Sequence, residues 1–210
     1  MKESSAKNNI LKKIKQALAT PAPVPFAQTA EHSNIFIALQ NEKEVEFAEN
    51  FTNLPGRFSF CCNMEELVTQ LKILITAREW QIIFCSEDDL KSRLAANGFI
   101  NDYTNNLAAC HVSITSCEFL IARTGSIVLS SAAANGRTAS VYAPVHICVA
   151  CTHQLVADIK DALENIKEKQ SGLPSSISFA SGPSRTADIE KTLVTGVHGP
   201  KEVFCFLVEG

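Results

Sequence analysis

No apolar run in this 210-residue chain reaches the roughly 20 residues needed to cross a bilayer. The first residues lack the apolar core and small-residue cleavage site of a secretory signal, so a cytoplasmic location is expected. A basic excess is missing too. Lys and Arg number 19 against 22 Asp and Glu, for a net charge of −3 and a pI near 6.0. A nucleic-acid binder would show a basic face, so that class is excluded. There is no internal repeat and no low-complexity tract. Four chemical signatures are also absent. They are the phosphate loop G-x-x-x-x-G-K-[ST], the dinucleotide loop G-x-G-x-x-G, the nucleophile elbow G-x-S-x-G and the cluster run C-x2-C-x2-C-x3-C.

What is present is ordinary for a globular protein, with 46% hydrophobic and 20% charged residues. The length suffices for one core plus a short extension. Residues 1–30 read as an N-terminal arm. Ile10, Leu11, Ile14 and Leu18 share a helical face, and Pro21, Pro23 and Pro25 mark an extended linker. Residues 31–210 read as a single α/β domain. A helix is expected over 34–51, with Phe36, Leu39, Phe47 and Phe51 as its apolar markers and Leu54-Pro55-Gly56 as its stop. Strand and helix then alternate. Arg57–Cys61 reads as a strand, and Asn63 with Glu66 predicts a capped helix to Ala77. Gln81–Cys85 is a buried strand, and Ser86 with Asp89 predicts a second cap for a helix ending at Asn97-Gly98. Further strands are expected at 112–115, 119–122, 127–129, 138–142, 146–150, 177–180 and 202–207, with helices over 154–168 and 186–191. This order predicts an open, mostly parallel sheet with helices on both faces.

Three polar, glycine-bearing segments are candidates for chemistry. They are Thr124-Gly125-Ser126, the stretch from Ser181, Gly182 and Ser184 to Thr186, and the stretch Gly196-Val197-His198-Gly199-Pro200. Ligands of α/β sheets sit beyond the carboxyl ends of strands. Glycine permits close backbone approach there, helix-start N–H groups favour an anion, and hydroxyls donate or accept. The expectation is a common crevice at the carboxyl end of the sheet, with Thr124, Gly125 and Ser126 facing Ser181–Thr186 and His198. Each loop also has a plain structural use, Ser184 as a helix cap and Gly125 as a turn residue. Acid or base candidates near these loops are His198, Asp188, Glu190 and Glu118. A Ser184-His198-Asp188 triad can be drawn, but without a nucleophile elbow it does not make a hydrolase.

The eight cysteines suggest metal or disulfide, and their placement argues against both. Cys85 and Cys205 lie inside apolar runs and read as small core residues. Cys148 and Cys151, flanked by His146 and His153, have zinc-like spacing. On a strand, however, residues three apart face opposite ways, so no metal is expected there. His146 opens that strand and reads as a satisfied structural histidine.

Several of these segments together resemble the lactate-utilization protein C family, also called the LUD-domain family. They are Ile121-Ala122-Arg123-Thr124-Gly125-Ser126-Ile127-Val128-Leu129, the Gly136-Arg137 pair and Pro144-Val145-His146-Ile147. To these are added Ser181-Gly182-Pro183-Ser184-Arg185-Thr186-Ala187-Asp188-Ile189-Glu190, Gly196-Val197-His198-Gly199-Pro200 and the opening helix around Ile10–Leu18. The resemblance implies a fold like that of CoA transferases and sugar-phosphate isomerases. It also implies a non-redox role in oxidising L-lactate to pyruvate, beside iron–sulfur partner proteins, with no cofactor in this chain. A small anionic ligand would meet the three loops and Arg137. Residue 123 is commonly acidic in that family, and Arg123 removes any argument that needs a carboxylate there. The alternative is a free-standing enzyme acting on a CoA ester, sugar phosphate or folate-like substrate.

Overall fold

A computed structural model describes residues 5–19, 39, 41–133, 138–170, 172–186 and 193–210. The proline-rich segment, Phe36, Arg137, Asp188 and Glu190 lie outside the described residues. The chain divides into two units, Met1–Ala38 and Leu39–Gly210. The first contains helix α1 (Ser5–Ala19). Its spacing sets Ile10, Leu11, Ile14 and Leu18 along one side.

The second unit runs α2 (Lys43–Asn53), β1 (Arg57–Cys61), α3 (Met64–Ala77), β2 (Ile83–Phe84), α4 (Asp88–Ala96), β3 (Tyr103–Thr104) and β4 (Val112–Thr115). It continues with β5 (Phe119–Ile121), β6 (Ser126–Ser130), α5 (Ala139–Tyr142), β7 (Val145–Cys151), β8 (Leu155–Val156) and α6 (Ile159–Lys169). It ends with β9 (Ile177–Ala180), β10 (Arg185–Thr186), β11 (Val194–Thr195) and β12 (Glu202–Val208).

Six strands form a wholly parallel sheet in the order β1-β12-β7-β4-β2-β3. Its central strands β7 and β12 are near-continuous apolar runs because both faces are covered. Alternation divides their side chains. Val145, Ile147 and Val149 pack with Leu67, Leu71, Leu90 and Leu94 of α3 and α4. Cys148 and Ala150 face the other way, onto Phe47 and Phe51 of α2 and Leu120 and Ile127 of a second sheet. That sheet has the order β8-β5-β6-β9, with β5-β6 and β6-β9 antiparallel. Ala162 and Ile166 of α6 cover its far side through Ile121 and Val128. The α/β class and parallel sheet agree with the sequence reading. The second, largely antiparallel sheet was not foreseen and shares one face of the main sheet with α2.

Local signals account for much of this. Asn63 Oδ1 accepts the Glu66 N–H at 2.9 Å, and the Glu66 carboxylate accepts the Cys62 N–H at 2.8 Å, so α3 starts where its capping box predicts. Gly98 has φ +88° just past the end of α4. The start of α4 differs from expectation. Its N-cap is Glu87, and the Glu87 carboxylate accepts the Ser116 N–H at 2.8 Å, tying the helix to the β4–β5 connection. Thr138–Tyr142 was expected as a strand, but Ala139–Tyr142 is a helical turn packed on β4 and β7. The helix expected over 154–168 begins later, because Leu155–Val156 first pairs with β5. Asp158 then caps α6 by accepting the Ile159 N–H at 2.6 Å. In place of the start of a helix over 186–191, Arg185–Thr186 is a strand antiparallel to Val194–Thr195; residues 187–192 lie outside the described residues.

Helix α2 is anchored on the β5–β6 turn. Asn50 Nδ2 donates to the carbonyls of Ala122 and Arg123 at 2.9 and 3.0 Å. Gly125 has φ +56°, and a Cβ there would sit 2.5 Å from the Phe51 amide nitrogen. Replacing Gly125 with Ala therefore combines left-handed strain with backbone overlap. It is expected to destabilise the domain by about 3 kcal/mol or more, against about 1–2 kcal/mol for Asn50→Ala. Urea denaturation of both variants checks this. Equal midpoints for Gly125→Ala and the parent would show that α2 does not need this approach.

Candidate functional site

Register brings two of the glycine loops together. Thr124 and Gly125 form the turn of the β5–β6 hairpin, and Ser126 opens β6. Since β6 is antiparallel to β9 with Ile127 opposite Ala180, Ser126 meets Ser181 one step further on. Their hydroxyls are 2.6 Å apart, and Thr124 Oγ1 donates to Ser126 Oγ at 2.7 Å. These three hydroxyls satisfy one another, and Ser126 is buried. Gly182 follows with φ +93°, and a Cβ there would overlap the Leu54 carbonyl oxygen at the end of α2. Gly125 and Gly182 thus allow the close packing of α2, and Gly182 also lines the inner cavity.

The third loop is held against the second. Ser184 N–H donates to the Pro200 carbonyl and Gly196 N–H to the Ser184 carbonyl, both at 2.9 Å. Lys201 N–H donates to the Pro144 carbonyl at 2.8 Å, which seats the end of the loop beside the start of β7.

Two adjoining cavities lie at this junction. An outer cleft of about 420 Å³ is lined by Val141, Tyr142, Gly196, Val197, His198 and Gly199. An inner cavity of about 200 Å³ shares Val141, His198 and Gly199 with it. Its polar lining is Ser140, His146, Ser178, Ser184 and His198, with Gly182 beside them. Its apolar walls come from Leu129, Phe179, Ala180, Pro200 and Val203. No Lys, Arg, Asp or Glu among the described residues lines either cavity.

The position corrects the expectation. His146 and Val203 are the second residues of β7 and β12, so the cavity lies at the amino ends of the parallel strands. The carboxyl-end rule presumes that the loops leave parallel strands. Two of these loops instead leave strands of the antiparallel sheet, and the third precedes β12. Of the candidate ligand residues, the cavities gather Gly182, Ser184, Gly196, His198 and Gly199. Thr124, Gly125, Ser126 and Ser181 lie outside their lining, and Thr186 is paired in the β10–β11 hairpin. Glu118 lines neither cavity. It is buried, accepts from Ser130 Oγ at 2.6 Å and Gln170 Nε2 at 3.2 Å, and pairs with Lys169 at 3.6 Å. Arg123, the residue that departs from the family pattern, pairs with Asp158 at 2.9 Å. Arg137, Asp188 and Glu190 lie outside the described residues.

The residue that sequence reasoning undervalued is His146. It is 1% exposed. One ring nitrogen, Nε2, is 2.8 Å from Thr115 Oγ1, while Nδ1 has no partner among the described residues. Ser113, its register neighbour on β4, is also buried, with a hydroxyl that has no partner among the described residues. Burial pulls the imidazole down to about 4, so it is neutral near pH 7. Cys148 and Cys151 point to opposite faces, as expected from strand geometry. Cys148 joins the core beneath α2, while Cys151 Sγ accepts from Arg93 Nη2 at 3.4 Å.

Among the described residues, no group of three or more His, Cys, Asp or Glu is placed to hold a metal ion. No described helix is long and apolar enough to cross a membrane.

Comparison with known proteins adds to this geometry. The LUD domain family model matches residues 98–208. The chain is 41% identical over 83 residues to an uncharacterized protein of Neisseria meningitidis serogroup B, covering 40% of this chain and 36% of that protein. It is 38% identical over 99 residues to lactate utilization protein C of Shouchella clausii, covering 46% and 43%. A longer match, 30% identical over 151 residues, is to lactate utilization protein C of Anoxybacillus flavithermus, covering 66% and 68%. In the first two, the match spans only about two-fifths of the relative's length. In fold, the chain is similar to a DUF162 family protein from Deinococcus radiodurans, with a TM-score of 0.58 and 19% identity over 80% of this chain and 96% of that one.

A pH dependence follows from His146. The unfolded chain takes up a proton near pH 6.5, while the folded chain resists until about 4. The unfolded state therefore binds more protons in that window, and stability falls as pH drops from about 6.5 to 4. The loss attributable to this group is on the order of 3 kcal/mol. Denaturation curves across pH 4–7 are expected to show a shallower acid slope for His146→Gln than for the parent. Equal slopes would mean that His146 takes up its proton as readily in the fold as in the unfolded chain.

Proposed function

This chain belongs to the LUD domain family, and from that premise we propose that it is a component of an L-lactate utilization system that binds a small organic anion in the paired cavities. The observation that carries this reading is one of placement. Every residue lining the two cavities, from Leu129 to Val203, falls within the stretch matched by the family model, residues 98–208. A third cavity of about 500 Å³, against β1 and α3, draws Arg57, Phe58 and Ile73 from outside that stretch.

The ligand's carboxylate lies at the mouth of the inner cavity. The exposed His198 and the Ser184 hydroxyl supply hydrogen bonds there. In this reading the chain does not oxidise lactate itself. Iron–sulfur partner proteins carry the electrons, and the names of the relatives similar to this chain support the pathway. A phosphate- or CoA-binding enzyme is less well supported, because no cationic side chain among the described residues lines either cavity.

Deleting the gene is expected to impair growth on L-lactate, while the purified chain leaves a redox dye unreduced in the presence of lactate. Ser184→Ala and His198→Asn are expected to melt as the parent does and to restore growth poorly. Each lost hydrogen bond to a charged ligand is worth roughly 1.5–3 kcal/mol, or about ten- to a hundredfold in affinity. Full growth with both variants would show that these loops are structural turns. Lactate-dependent dye reduction by the chain alone would overturn the non-redox assignment.

A further inference from the structure

The small-anion reading leaves the floor of the inner cavity unassigned, and this inference rests on that reading. His146 is there, with Nε2 tethered to Thr115 and Nδ1 unpartnered among the described residues. Leaving a buried polar atom without a partner is unfavourable, and such atoms in native folds ordinarily meet water or a ligand. Ser113 Oγ, on the neighbouring strand at the same register position, is a second buried atom in the same condition. Of the two, only His146 lines the inner cavity, so its Nδ1 is the atom that a group in the cavity can meet. We propose that the inner cavity is a subsite for an uncharged hydroxyl or carbonyl group of a small organic acid, recognised by Nδ1 of His146.

Three features select that chemical class. The cavity holds about 200 Å³, room for a small organic acid of up to about ten heavy atoms. Leu129, Phe179 and Val203 give it apolar walls and no described Lys, Arg, Asp or Glu lines it, so burying a full charge there without a counter-ion would be costly. A neutral imidazole can donate or accept at Nδ1 according to its tautomer, which suits a hydroxyl or a carbonyl alike. The acid's charged end is left at the mouth, toward His198.

The test uses the whole chain and the imidazole nitrogen signals of His146 in long-range proton–nitrogen spectra. The signal is assigned by replacing the other four histidines one at a time. The probes are L-lactate, propionate and hydroxyacetone at millimolar concentration. L-lactate carries both groups, propionate only the carboxylate, and hydroxyacetone only the uncharged end. L-lactate and hydroxyacetone are expected to shift the His146 nitrogens in a saturable way while propionate leaves them in place. L-lactate is expected to bind at least roughly tenfold more tightly than propionate, with His146→Gln narrowing that ratio. If hydroxyacetone moves His146 and L-lactate does not, the subsite stands and the small-anion reading falls. If L-lactate and propionate bind equally well and act alike on His146, the anion reading stands and the subsite falls. If no probe moves His146, the cavity holds water only and the proposal is wrong.

Discussion

The position of β12 between β1 and β7 is the constraint on which the rest depends. It is the last strand in the chain, yet it occupies the interior of the parallel sheet and pairs along seven residues with β7. Its burial on both faces leaves little freedom to slip, since a one-residue shift would exchange the side chains packed on α3 and α4 with those packed beneath α2. The register sets Val203 opposite His146. Whatever immediately precedes β12 must therefore lie beside the amino end of β7. The segment His198-Gly199-Pro200 immediately precedes it, and the hydrogen bond from Lys201 to Pro144 closes that junction. The cavity is a consequence of strand order before it is a property of any loop.

The same reasoning separates what was legible in the sequence from what was not. Uninterrupted apolar runs such as those of β7 and β12 are strongly typed, and Asn63 with Glu66 names a helix start locally. The Thr138–Tyr142 segment is different. Thr138, Val141 and Tyr142 favour a strand, but packing on β4 and β7 holds Ala139–Tyr142 as a helical turn, and tertiary context overrides a weak local preference. Thr186 was read as a helix start from the Ser-Gly-Pro-Ser run before it. Its partner in the β10–β11 hairpin, Val194, lies beyond the reach of any local pattern. His146 was the costliest misreading. A histidine in an apolar strand is ordinarily satisfied, and only the pairing of both ring nitrogens, visible in three dimensions, shows that one is not.

Glycine was the most misleading signal. Gly125 and Gly182 have positive φ and lie in polar loops, as a ligand-binding glycine would. Both are used for close approach of the end of α2, one to the Phe51 amide and the other to the Leu54 carbonyl. The hydroxyls of Thr124, Ser126 and Ser181 fit this account. They close on one another where the antiparallel register brings them together, which removes their need for an outside partner. A polar glycine loop thus announces that something comes near its backbone. It does not say whether that is a ligand or a helix.

The interior behind His146 explains why its ring stays neutral. Cys148 and Ala150 follow it on the same face of β7, and Cys205 stands beside Cys148 at the same level of β12. Cys117 joins this layer, where its hydrogen bond with Cys148 and its burial push its thiol well above the ordinary value. The Cys117 and Cys148 thiols stay protonated, and all three cysteines act as small apolar fillers. The other members of that cluster include Phe47, Phe51 and Leu207. A protonated imidazole at its edge is disfavoured by the hydration that burial removes. The thiol-lined core and the neutral histidine are therefore parts of one arrangement. The packing that makes Cys148 an apolar filler also keeps His146 uncharged at the floor of the cavity.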